Sequence, residues 1–133
     1  MSYVIAYITA LVVFGAIDAT WLTLMGPILY RPVLGEIIAP SLRIAPAIVF
    51  YLMYPIGLVV FAVTPALRSG AISTAFLLAL LFGAIAYGTY DLTNYATLRV
   101  WTMQITIADL VYGALTSAVA ATAATFMVRL FGR

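Results

Sequence analysis

Four apolar runs of about 20 residues each dominate the chain, parted by short clusters of polar residues, glycine and proline. They extend from Tyr3 to Met25, from Ile44 to Leu67, from Ala71 to about Thr93, and from Thr102 to about Phe131. At 1.5 Å per residue each is long enough to cross a hydrocarbon core about 30 Å thick, with some tilt. The pattern predicts an all-α polytopic membrane protein. Residues 1–133 form a single integral membrane domain, a four-transmembrane-helix bundle with spans at about 3–25, 44–67, 71–93 and 102–131. The breaks at Arg68-Ser69-Gly70 and from Asn94 to Trp101 are short, so neighbouring helices should be antiparallel. No internal repeat is evident. The N-terminus lacks the basic flank of a cleaved signal, and Asp18 interrupts its apolar run, so a retained first helix is expected.

The segment from Gly26 to Arg43 breaks the pattern with Pro27, Pro32, Pro40, Arg31 and Glu36. Its proline spacing argues against one continuous helix. A short interfacial helix from Val33 to Ala39 is expected between helices 1 and 2, with Ile37 and Ile38 toward lipid. A re-entrant turn is the alternative. Pro55 in the second span predicts either a kink or a proline merely tolerated, as in many membrane helices. Gly113, Ser117 and Ala121 recur at four-residue steps on the fourth span, a small-residue face suited to close packing within the bundle or between copies.

Composition narrows the chemistry. The chain is 66% hydrophobic and 8% charged, more apolar than a soluble domain of this size could hide. All six basic residues are arginine; Lys, His and Cys are absent. Disulfides, thiolate nucleophiles, iron–sulfur ligands, the usual zinc or haem ligand and Schiff-base chemistry are thereby excluded. A hard cation alone would suit the acids, and neither a metal nor a cofactor is implied. The scattered net charge of +2 gives no nucleic-acid surface.

Four spans put both termini on one side, which also carries Arg68, Arg129 and Arg133. The other side carries Arg31, Arg43 and Arg99, so a count of three against three does not orient the protein. That second side is where the acids fall. Asp18 lies about two turns before the end of the first span, Asp91 near the end of the third, and Asp109 about two turns into the fourth. A carboxylate within the bilayer costs about 2.5–3.5 kcal/mol on insertion scales, so it needs a partner or a task. Helical spacing groups Tyr87, Asp91 and Asn94; Gly15, Asp18 and Trp21, continued by Leu22 and Met25; and Ile105, Asp109, Tyr112 and Gly113. If these faces converge they form a polar pocket roofed by Trp21 and Trp101. The candidate ligand-binding residues are therefore Asp18, Trp21, Tyr87, Asp91, Asn94, Arg99, Trp101, Asp109 and Tyr112. Trp101, Tyr30 and Tyr95 also fit a simple interfacial belt, and Arg31, Arg43 and Arg99 could pair with the acids to fix helix register.

The stretch Tyr90-Asp91-Leu92-Thr93-Asn94-Tyr95-Ala96-Thr97-Leu98, followed by Trp101 and Asp109, and Asp18-Ala19-Thr20-Trp21 near the start, resemble a bacterial family of small membrane proteins. That family is known as domain of unknown function 2177, and the resemblance covers essentially the whole chain. It implies a four-helix membrane protein and marks Asp18, Trp21, Asp91, Asn94, Trp101 and Asp109 as pattern residues; the expected location is the cell's inner (cytoplasmic) membrane. It brings no activity with it.

Three readings compete. The leading one is binding or translocation of a small cationic or amphiphilic ligand, as a homodimer within the lipid bilayer, with proton coupling through Asp18 or Asp109. The second is an accessory subunit of a membrane complex, and the third a lipid-modifying enzyme. Enzyme chemistry ranks last, because only Asp, Glu, Tyr, Ser and Thr are available to carry it.

Overall fold

The structure, a computed structural model, describes residues 1–132. Arg133, assigned above to the terminal side, lies outside them. Four helices are long and apolar enough to cross a membrane: α1 (Ser2–Leu34), α2 (Ile44–Ser69), α3 (Ile72–Thr97) and α4 (Met103–Phe131). There is no strand among the described residues, and the all-α multi-pass bundle read from the pattern is what forms. The Ser2 hydroxyl donates to the Gly132 carbonyl at 2.7 Å, so the first and last turns of the bundle lie together. Beside them, the Arg129 guanidinium donates to the carbonyl of Gly70. Gly70 has a positive φ of 78° and ends α2 in the left-handed conformation that glycine adopts without a Cβ penalty.

α4 is the most enclosed of the four and packs against both α1 and α3. Small residues allow this. In lipid, no water-driven force pulls apolar helices together, so association depends on close van der Waals fit. α1 buries Ala6, Ala10, Phe14 and Asp18 at four-residue steps, and α3 buries Ala75, Ala79 and Gly83 in the same way. Gly113, Ser117 and Ala121 of α4 are buried, so this small-residue face serves packing inside the chain. A Cβ on Gly83 would sit 2.7 Å from the Gly113 carbonyl oxygen, which shows how closely the two backbones pass. The Tyr87 ring lies directly over Gly113, where any side chain would collide with it.

The expected helix from Val33 to Ala39 does not form there. α1 instead continues past Met25 to Leu34, and residues 35–43 make turns and bends. Pro27 and Pro32 are accommodated because Gly26–Tyr30 widens into a π-helical turn. A proline ring crowds the carbonyl four residues before it, and a wider turn moves that carbonyl aside. α2 uses the same device, with Val59–Val63 π-helical just before Pro65. Pro55 is tolerated inside α2 without ending it. The Tyr7 hydroxyl of α1 donates to the Leu52 carbonyl at 2.8 Å, within the turn that Pro55 disturbs. At 33 residues α1 would be about 50 Å long if straight, more than the hydrocarbon core is thick, so it tilts or runs into the headgroup layer.

Candidate functional site

Asp18 is at the end of the buried stripe of α1, one turn beyond Phe14. In lipid its carboxyl oxygens need donors from neighbouring helices, and two tyrosines supply them. Tyr112 of α4 donates to Oδ1 at 2.5 Å, and Tyr51 of α2 donates to Oδ2. Three helices are thus tied at one carboxyl. Below it, Tyr54 donates to Ser117 at 2.7 Å, and Ser117 donates to the Gly113 carbonyl at 2.7 Å. Phe14 and Tyr54 close the floor, with ring centroids 4.7 Å apart.

A second group forms where the far part of α1 meets the start of α4. Leu29, Leu34, Trp101 and Ile105 are buried together there, with Trp21, Met25 and Tyr30 packed against them. Trp21 donates its indole N–H to the Tyr30 hydroxyl at 2.9 Å, and Tyr30 donates to Asp109 Oδ1 at 2.5 Å. An indole nitrogen can only donate, which fixes the direction of the relay from Trp21 through Tyr30 to Asp109. The Trp21 ring stacks on Tyr112, so the relay to Asp109 and the anchor of Asp18 share a wall. Tyr87 stands edge-on to Tyr112, with ring centroids 6.0 Å apart.

Asp91 completes the cluster from α3. It is 0% exposed, and neither carboxyl oxygen meets a donor. The carboxyl of Asp109 lies beside it. Buried polar atoms are nearly always paired, so an enclosed carboxyl with two bare oxygens is an exception that calls for a cause.

The three acids therefore gather in one part of the bundle, with Trp21, Tyr87 and Tyr112 between or beside them. The other candidates fare differently. Trp101 is 6% exposed, donates to Thr106 Oγ1 at 3.1 Å and stands edge-on to Tyr90; it belongs to the packed core here, not to an interfacial belt. Tyr30 is likewise no simple belt residue, because it bonds Asp109, whereas Tyr95 is 41% exposed. Leu22, expected to continue the Asp18 face, is 49% exposed and points away from it. Asn94 is half-buried and Arg99 exposed, and neither is a hydrogen-bond partner of the acids. Arg31 and Arg43 are also exposed. The partners of Asp18 and Asp109 are phenols rather than guanidinium groups.

Tyr30 and Tyr51 bond Asp109 and Asp18, and sequence reasoning did not place either of them in the cluster. Tyr51 had one available signal: it is the donor-bearing residue one turn before Pro55. Nothing in the spacing signalled Tyr30, because its reach depends on α1 continuing through two prolines. No three metal-binding side chains converge among the described residues. On the outer side of Trp21 and Tyr112 a shallow groove of about 350 Å³ is lined by Ala16, Ile17, Thr20, Trp21, Leu24 and Tyr112.

The fold defines a multi-pass α-helical membrane protein with an acid–tyrosine cluster inside its bundle. The chain belongs to the family of predicted membrane proteins designated DUF2177, whose profile matches residues 3–126. No curated protein and no solved structure matches it.

Proposed function

We propose that the acid–tyrosine cluster binds a small solute or amphiphile, cationic or rich in hydrogen-bond donors, and passes it through the membrane. The observation that carries this reading is Asp91: a carboxyl enclosed in an apolar bundle, beside a second carboxyl, with no donor on either oxygen. Intramembrane acids kept only for architecture are expected to be matched by cations or donors. The exposed positions of Arg31, Arg43 and Arg99 speak against matching by arginine. An amphiphile's apolar part has a place in the groove lined by Trp21 and Tyr112, the second of which bonds Asp18.

Four helices enclose little space, so a homodimer is the form in which this reading expects a full path. The bacterial cytoplasmic membrane is its expected location, since spanning proteins of the outer membrane are barrels.

Purified protein in liposomes tests the proposal with short-chain alkylammonium ions and the matching uncharged alcohols as probes. The intrinsic emission of Trp21 and Trp101 reports binding, and release from loaded vesicles reports flux. Saturable flux that falls at least tenfold in Asp109→Asn supports the reading. Flux equal to that of empty vesicles, or unchanged in the variant, contradicts it.

A further inference from the structure

The bare carboxyl of Asp91 has few neighbours that could serve it. Asp109 of α4 lies beside it, Tyr30 approaches from the far part of α1, and Tyr87 and Tyr90 sit on α3 itself, with no hydroxyl among them bonded to Asp91. From α2, Tyr51 is committed to Asp18. Tyr30 cannot help, because its oxygen accepts from Trp21 and its single hydrogen goes to Asp109 Oδ1. That bond leaves Asp109 Oδ2 as an open acceptor. Two ionised carboxylates present only lone pairs to each other, and like charges in contact within a low-dielectric interior cannot both persist. One hydrogen between them removes the repulsion and gives one bare oxygen of Asp91 a partner, and it leaves the other oxygen open to a solute's donor.

We propose that Asp91 and Asp109 form a proton-binding site, in which one exchangeable proton is carried on Asp91 and donated to Asp109 Oδ2. The Trp21–Tyr30 relay favours one division of roles: a hydrogen bond donated to Asp109 stabilises its anion, whereas neither oxygen of Asp91 receives one, so the proton resides on Asp91. The pair carries a single negative charge. Asp18 has no share in this, because both of its oxygens are occupied by phenols. Asp109 is half-buried while Asp91 is fully enclosed, so the proton enters and leaves by way of Asp109. The inference goes beyond solute binding and holds whatever the solute is.

Infrared spectroscopy of the full chain in liposomes tests it with no solute present. At neutral pH the wild type should show one carboxylic-acid C=O band per chain that shifts on exchange into heavy water. The band should vanish in Asp91→Asn and remain in Asp18→Asn. Asp91→Asn should also fold, as judged by helical circular dichroism, because its amide can donate to Asp109 where the acid did. Should it not fold, Tyr30→Phe decides: removing the donor to Asp109 leaves both carboxyls in place and should displace the band. Absence of the band in wild type, its persistence in a folded Asp91→Asn, or an unmoved band in Tyr30→Phe would overturn the proposal.

Discussion

Trp21 and Tyr112 stack face to face, with ring centroids 4.3 Å apart and planes 14° from parallel. The pair joins the two halves of the acid cluster, because Tyr112 holds Asp18 and Trp21 starts the relay to Asp109. Trp21→Ala removes both the stack and the N–H donor, at a cost of about 1–3 kcal/mol. Trp21→Phe keeps a ring and loses only the donor, so its cost should be about 1 kcal/mol. Reversible unfolding in mixed micelles measures both, and equal losses would show that the hydrogen bond contributes everything and the stack nothing.

The two phenols on Asp18 act on one carboxyl from different helices. Tyr51→Phe and Tyr112→Phe should each destabilise the fold by about 1–3 kcal/mol, because each strands one buried oxygen. Their effects should not add: sharing a carboxyl predicts a coupling of about 0.5–3 kcal/mol in a double-mutant cycle. Strict additivity would mean that the tyrosines serve Asp18 independently.

The exposed arginines provide the contrasting case. Arg31→Ala, Arg43→Ala and Arg99→Ala should each change stability by less than about 0.5 kcal/mol, as surface substitutions away from special contacts do. Were any of them the structural mate of a buried acid, removing it would cost about 3–5 kcal/mol. The same unfolding assay separates the two outcomes by a wide margin.

Close approach of α3 and α4 sets a fourth expectation. Gly83→Ala forces a methyl to within 2.6 Å of Ser117 Oγ and 2.7 Å of the Gly113 carbonyl, and backbone yields little. The loss should be about 1–3 kcal/mol, typical of overpacking. Gly15→Ala meets nothing within 4 Å and should be neutral or stabilising by up to about 1 kcal/mol, since alanine is the better helix former.

How much of this was legible in the sequence depends on what each residue needs. The spans were readable because about 20 apolar residues in a row have few other uses. The gathering of Asp18, Asp91 and Asp109 followed from helix number and direction, which alternate by necessity in a bundle with short loops. The partners were not readable. Arginine looked the natural mate for an acid by charge, yet Tyr51 and Tyr112 reach Asp18 because α2 and α4 turn those positions inward. Tyr30 reaches Asp109 only because π-helical turns let α1 carry on through Pro27 and Pro32, where a proline rule predicts a break. Trp101 looked interfacial by residue type but is buried against α1 by the path of the loop before α4.

The account rests on Asp91 and Asp109 facing each other across the α3–α4 contact. The chain has no cysteine of its own, so a pair can be introduced without background. Oxidative cross-linking in membranes of the Asp91→Cys/Asp109→Cys double variant should be fast and intramolecular, and Thr74→Cys/Asp109→Cys, with its residues at opposite ends of the bundle, should not cross-link. Equal rates in the two pairs, or no link between positions 91 and 109, would contradict the account.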